Sequence, residues 1–232
     1  MEAMDPPLLR SPKRVVIDTA GKWRELVLPA RWGRGKGLTE LASRWTTTAL
    51  PEVDALLATQ PSTAGFVPGE GEVGDPEIDL VLEGDAPGGK TLLVAVAVGD
   101  EPLGPTVDQA LYRSLSEDRL RGGAPPVEQM ARTVFNIEAS LIGGLRYRLL
   151  QQNAALLRRA EARGCPQAVL LFHEFRSPLT PTKVKVEQRL DMEEYLRKVS
   201  HRGATSTPGL LAGPFFNGTK VNLFVGRALV ES

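Results

Sequence analysis

Residues 78–98 hold the arrangement with the clearest chemical meaning. Ile78-Asp79-Leu80-Val81-Leu82 is an apolar run with one carboxylate in its pattern. After a turn-rich connection comes Leu92-Leu93-Val94-Ala95-Val96-Ala97-Val98. Side chains alternate faces along a strand, so positions 95 and 97 share one face and positions 94, 96 and 98 the other. Hydrolysis of a phosphodiester with a divalent cation needs oxygen ligands, carboxylates and a backbone carbonyl among them, and a cationic group for the attacking water or the developing charge. An Asp at one strand end, with a Glu and a Lys two residues apart on the next strand, supplies those parts of a metal-dependent nuclease site. Asp79 offers the first, but Ala95 and Ala97 stand where the other two would be. The plain alternative is a buried strand whose small residues let a helix approach closely, with Asp79 capping a turn or pairing with an arginine.

Other groups carry weaker signals. Arg31, Arg34 and Lys36 flank Trp32 in a glycine-rich loop that could grip phosphates while the indole stacks on a base; a solvated loop with Trp32 buried is the alternative. Gly33, Gly35 and Gly37 lack the preceding strand and the spacing of a dinucleotide loop. Gly88-Gly89-Lys90-Thr91 imitates the end of a P-loop, but a strand follows it rather than a helix. Arg146, Arg148, Arg158, Arg159 and Arg163 line a long helix, either as a DNA-facing stripe or as a solvated face. His173-Glu174 at a strand end could act as an acid–base pair, against the reading of His173 as a packed core or rim residue. No Gly-x-Ser-x-Gly elbow is present.

The elements that must position these groups follow from periodicity. The chain has 232 residues, enough for one α/β domain with a real core, and its net charge of +0 gives no global pull toward nucleic acid or membrane. A single cysteine, Cys165, excludes an internal disulfide and a cysteine zinc cluster, and two histidines speak against a multi-histidine site. No apolar run is long enough to span a membrane, and the acidic, proline-rich start is unlike a secretory signal, so a cytoplasmic address is expected. Residues 1–13 read as a loose tail, 14–18 and 25–29 as short strands or arms, and 61–76 as a long loop. Helices are expected at 38–45, 51–58, 107–120, 127–137, 144–163 and 191–200, and strands at 77–83, 91–98, 168–173 and 221–226. From residue 77 onward the order β-β-α-α-β-α-β predicts an α/β (α+β) fold, a mixed sheet flanked by helices.

One further segment, Glu101-Pro102-Leu103-Gly104-Pro105-Thr106-Val107, completes a pattern. It goes with Gly37-Leu38-Thr39-Glu40-Leu41-Ala42-Ser43-Arg44-Trp45, Leu145-Arg146-Tyr147-Arg148-Leu149-Leu150 and Val169-Leu170-Leu171-Phe172-His173-Glu174-Phe175. With these pieces the chain resembles the PD-(D/E)XK nuclease superfamily. More narrowly, it is similar to a bacterial group of small proteins whose second strand reads V-E-x-K before E-P-F-G-x-T-V. The resemblance covers about residues 30–200. It implies a restriction-endonuclease-like domain over 31–232 behind an N-terminal arm over 1–30. It also implies a Mg²⁺ (or Mn²⁺) site at Asp79, Ala95, the Val96 carbonyl and Glu40, with Ala97 in the place of the lysine. Arg34, Lys36, Gln109 and Arg146 would contact nucleic acid. DNA is the implied partner, with RNA, a partner protein or a second copy as alternatives, and cutting foreign or damaged DNA in bacterial defence is the implied role. With Ala95 and Ala97 the chain is expected to be inactive, whether an active parent was altered at two codons or the site degenerated naturally. A non-catalytic module on the same frame, binding nucleic acid or protein, is the alternative.

Overall fold

The computed structural model describes residues 7–27, 37–47, 49–75, 77–118, 126–178, 180–200 and 207–231. Seven strands form one mixed sheet in the order β1-β2-β3-β4-β5-β7-β6. They are β1 (Leu8–Arg10), β2 (Val67–Val73), β3 (Leu80–Ala86), β4 (Gly89–Val98), β5 (Gln167–Arg176), β6 (Leu211–Phe215) and β7 (Asn222–Glu231). The helices are α1 (Ala20–Arg24), α2 (Gly37–Thr47), α3 (Pro51–Leu57), α4 (Val107–Asp118), α5 (Pro126–Phe135), α6 (Tyr147–Ala162) and α7 (Thr182–Ser200), with a 3₁₀ turn at Ala139–Ile142. β2, β3 and β4 are an antiparallel meander, and β4, β5 and β7 run parallel. This is a mixed α/β fold with helices on both faces of the sheet.

The alternation in β4 divides the core. Val94, Val96 and Val98 join Val81, Leu170 and Phe172 beneath α5, α6 and α7, with Leu149, Met192 and Tyr195 among the helix residues. Ala95 and Ala97 join Leu80, Leu82, Val169 and Leu171 beneath α1, α2 and α3, where Trp23, Leu41, Trp45 and Leu56 fill the space. β5 is buried along its whole length, as its unbroken apolar run requires of a central strand. The alanines matter for the approach of α2. A Cβ on Gly37, at the start of that helix, would lie 2.7 Å from the Gly99 nitrogen and 2.9 Å from the Val98 carbonyl carbon.

Several expectations need correction. Residues 1–13 are no loose tail throughout, because β1 pairs in parallel with Glu70–Glu72. Val16 makes only an isolated bridge to Arg10, and residues 25–27 form the turn after α1, so of the two readings, strands or arms, the described residues fit arms; 28 and 29 lie outside the described residues. The long loop at 61–76 contains β2, a strand rich in glycine and glutamate. α7 begins nine residues before the expected start, at Thr182, and β6 and the 3₁₀ turn had no clear sequence signal. Trp23 of α1 is buried in the core cluster that also holds Leu41 and Trp45 of α2. Arg31, Trp32, Arg34 and Lys36 lie outside the described residues.

Gly37→Ala tests the close approach of α2. Alanine favours a helix by about 1 kcal/mol over glycine. The added Cβ meets backbone that cannot swing aside. The expected outcome is a net loss of about 1–3 kcal/mol in urea unfolding, and a gain in stability would contradict the packing.

Candidate functional site at the carboxyl rim of the sheet

Asp79 stands just before β3, and one oxygen of its carboxylate is held by three donors. Oδ2 accepts from the Ala97 amide at 3.0 Å, from Gln152 Nε2 at 3.0 Å and from Arg148 Nη2 at 2.5 Å. Arg148 Nη2 also donates to the Ala97 carbonyl at 3.1 Å, and the Asp79 amide donates to Gln152 Oε1 at 3.4 Å. Both partners come from the first turns of α6, so the group ties that helix to the β3–β4 edge. Asp79 is 3% exposed.

The side chains at the expected metal positions do not gather on its side of the sheet. Ala95 and Ala97 are 0% exposed, and their side chains point to the α2–α3 face, away from Arg148 and Gln152. The Val96 carbonyl belongs to the same peptide as the Ala97 amide that meets Asp79, and Val96 pairs with Phe172. Glu40 is half-buried in the first turn of α2, across the sheet from α6. Among the described residues no group of three or more His, Cys, Asp or Glu could hold a metal ion. The donors around Asp79 Oδ2 are those that satisfy a buried carboxylate.

The arginine stripe of α6 is matched by acids on the meander. Arg158 pairs with Glu77 at 3.0 Å, Arg159 with Asp75 and with Glu72 at 3.5 Å, and Arg163 with Glu72 at 2.8 Å and Glu83 at 3.3 Å. Lys90 joins at Glu83, 2.6 Å away, and its ammonium, followed by Arg163, holds the Glu83 carboxyl below its ordinary value. Glu72 and Glu83 sit on β2 and β3, and Asp75 and Glu77 just after and before them. Neutralised in this way, the stripe offers no excess positive charge to a phosphate backbone.

The two motifs that carry the resemblance most strongly fold against each other. The Val107 amide donates to the Leu145 carbonyl at 2.8 Å and the Tyr147 amide to the Pro105 carbonyl at 2.9 Å. Arg146 donates to the Gly104 carbonyl at 2.9 Å and pairs with Asp191 of α7 at 2.8 Å. Gly104 has φ +85, a conformation that glycine adopts freely. Gln109 closes a capping box on α4: its Oε1 accepts from the Thr106 amide at 3.0 Å and its amide donates to Thr106 Oγ1 at 3.3 Å. Gln109 and Arg146, expected at nucleic acid, therefore hold the starts of α4 and α6.

The remaining buried charge gathers where β4, β5 and β7 end, the end at which open α/β sheets form ligand crevices. Glu174 accepts from Arg227 Nε at 2.5 Å and from Arg176 Nη2 at 2.8 Å. Arg176 reaches Gln188 of α7 at 2.5 Å, and Gln188 Nε2 donates to the Gly99 and Glu101 carbonyls at 2.7 and 2.6 Å. Thr180 Oγ1 bonds Asp100 at 2.5 Å. Arg176, Gln188 and Arg227 escaped the sequence reading. The one signal was charge at alternate positions, Glu174 and Arg176, at the end of an apolar strand.

His173 and Glu174, read as an acid–base pair, point to opposite faces of the sheet and have separate partners. The Trp45 indole N–H donates to His173 Nδ1 at 3.0 Å. An indole nitrogen only donates, so Nδ1 is the acceptor and the ring proton sits on Nε2, 3.2 Å from Glu52 Oε1. Arg44 grips the same carboxylate at 3.3 and 3.2 Å. Burial pushes the His173 ring below its ordinary pKa and outweighs the pull of Glu52. Burial works the other way on Glu52, but its bonds to His173 and Arg44 prevail and bring it to about 2. Cys165 is buried and its thiol is pushed up by burial, in keeping with a structural role.

Arg148→Ala leaves the Asp79 carboxylate buried without its cation. The expected loss is about 3–5 kcal/mol of unfolding free energy. Adding Asp79→Asn should recover part of it, since a neutral amide tolerates burial beside Gln152 better than a lone charge. Equal stability of Arg148→Ala and the wild-type chain would contradict this role.

No curated protein and no solved structure matches the chain. A family described as "Domain of unknown function (DUF6946)" matches residues 16–229, which takes in α1 to α7, β2 to β6 and most of β7. The match spans well over half of the sequence, and the chain belongs to that family.

Proposed function

We propose that the chain is a non-catalytic binding protein on a nuclease-like frame, and that it engages a partner protein rather than cutting nucleic acid. The observation that carries this is the Asp79 carboxylate, which is taken up by Arg148, Gln152 and the Ala97 amide. The placement of Ala95 and Ala97 supports it, because a side chain there enters the apolar contact with α2. The paired arginines of α6 and the net charge of +0 favour a protein surface over a polyanion. No helix among the described residues is long and apolar enough to cross a membrane, and action in the cytoplasm is part of the proposal.

The second reading is a PD-(D/E)XK nuclease inactivated at two positions. The mixed sheet flanked by helices is in keeping with it, since that is the core the resemblance implies. So does the 3.0 Å bond from the Ala97 amide to Asp79, which makes the motif positions neighbours. In that reading Asp79, the Val96 carbonyl, Glu40 and a carboxylate at position 95 hold Mg²⁺ or Mn²⁺, and DNA is cut in bacterial defence.

The double variant Ala95→Glu/Ala97→Lys separates the two. Both side chains would enter fully buried positions. On the binding-protein account the variant loses several kcal/mol of stability and gains no Mg²⁺-dependent cleavage of DNA or RNA. Cleavage that disappears with Asp79→Asn would overturn the account. The same account expects duplex DNA to bind the wild-type chain more weakly than about 10 μM at about 50 mM salt, below what a non-specific binder reaches as its counterions are released; tight, steeply salt-dependent binding would speak for the nuclease frame.

A further inference from the structure

We propose that His173 is an acid-sensitive latch between α2 and the sheet, in which protonation of the ring sets two N–H donors against each other and frees the helix. Nδ1 is the only ring atom that can take the proton, and it already accepts from the Trp45 indole at 3.0 Å. The indole has no lone pair to offer in return. Once Nδ1 carries a proton the two groups repel, and Trp45 must turn away or leave. Nε2 keeps its partner Glu52 in both states.

The surroundings make the ring a switch with few competing groups. From α2 come Arg44 and Trp45, and from α3 comes Glu52, which Arg44 already balances. Phe175 lies 4.5 Å away, centroid to centroid, on the ring's own strand. Ala97 of β4 and Ala228 of β7 flank it in the sheet register and carry no charge. Glu174 acts weakly from the opposite face. Glu52, at about 2, stays ionised across the range in which histidine titrates.

The sign follows from burial. The folded chain holds His173 below its unfolded value of 6.5, so the latch contributes its full stability above that pH and loses it as pH falls from there toward the folded value. The helix it would release begins at Gly37, against the backbone of Ala97–Gly99 at the end of β4. Acid would therefore loosen the cover over one face of the carboxyl rim.

The test is an NMR titration of the full chain from about pH 8 down to the pH at which the chain unfolds, following the His173 ring and the Trp45 indole N–H. With two histidines and three tryptophans, His173→Gln and Trp45→Phe assign the signals. Ring and indole are expected to shift with one common midpoint below 6.5, and amide exchange in α2 to quicken at least about tenfold through it. Trp45→Phe removes the opposing donor and should raise the midpoint by about one unit, tenfold in proton affinity and the worth of one hydrogen bond. His173→Gln offers an acceptor and a donor without titrating, so its α2 should exchange slowly throughout. An indole signal that stays flat while the ring titrates, an unmoved midpoint in Trp45→Phe, or a ring neutral until the whole chain unfolds would overturn the latch. Should Trp45→Phe fail to fold, acid-quickened α2 exchange persisting in His173→Gln overturns it.

Discussion

A buried carboxylate must be given partners, and Asp79 receives a guanidinium, an amide and a backbone N–H. That constraint orders the structure around it. Arg148 and Gln152 are one turn apart on α6, so meeting Asp79 fixes the rotation and height of that helix against β3 and β4. The interlock of residues 104–108 with 143–147 then fixes where α6 begins, and the ion pairs of Arg158, Arg159 and Arg163 guide its far end along the meander. Surface pairs of this kind each contribute little alone, so the buried contact at Asp79 dominates.

The two faces of the sheet answer different demands. On the α6–α7 face buried charges are matched in two groups, Asp79 with Arg148, and Glu174 with Arg176 and Arg227, Arg176 reaching on to Gln188. On the α2–α3 face the contact is close and apolar, and Ala95, Ala97 and Gly37 set its depth. His173 is the polar exception there, joined to α2 through Trp45 and to α3 through Glu52.

Much of this was legible in the sequence. The β3–β4 hairpin and β5 follow from apolar runs and turn residues, and α6 from its apolar side of Leu145, Leu149, Ala155 and Leu156. The alternation of valine and alanine correctly put Ala95 and Ala97 on one face. β2 was not legible, because Gly69, Glu70, Gly71 and Glu72 have poor strand propensity and the strand exists through its partners. β1 is three residues long and β6 contains Gly213-Pro214, so neither carries a periodic signal. The partners of Asp79 and His173 were not legible for a related reason. Asp79 and Arg148 are 69 residues apart and Glu52 and His173 are 121 apart, so no local spacing announces either contact. Thr106 and Gln109, by contrast, spell a capping box three residues apart, and that signal could have been found.

The account depends on Asp79 being a structural anchor already filled by protein donors. Calorimetric titration of the folded wild-type chain with Mn²⁺ measures this directly. The expected result is no saturable heat up to millimolar ion, in the wild-type chain and in Asp79→Asn alike. Saturable binding in the wild-type chain that vanishes in Asp79→Asn would show that the carboxylate is open to a cation, and would contradict the account.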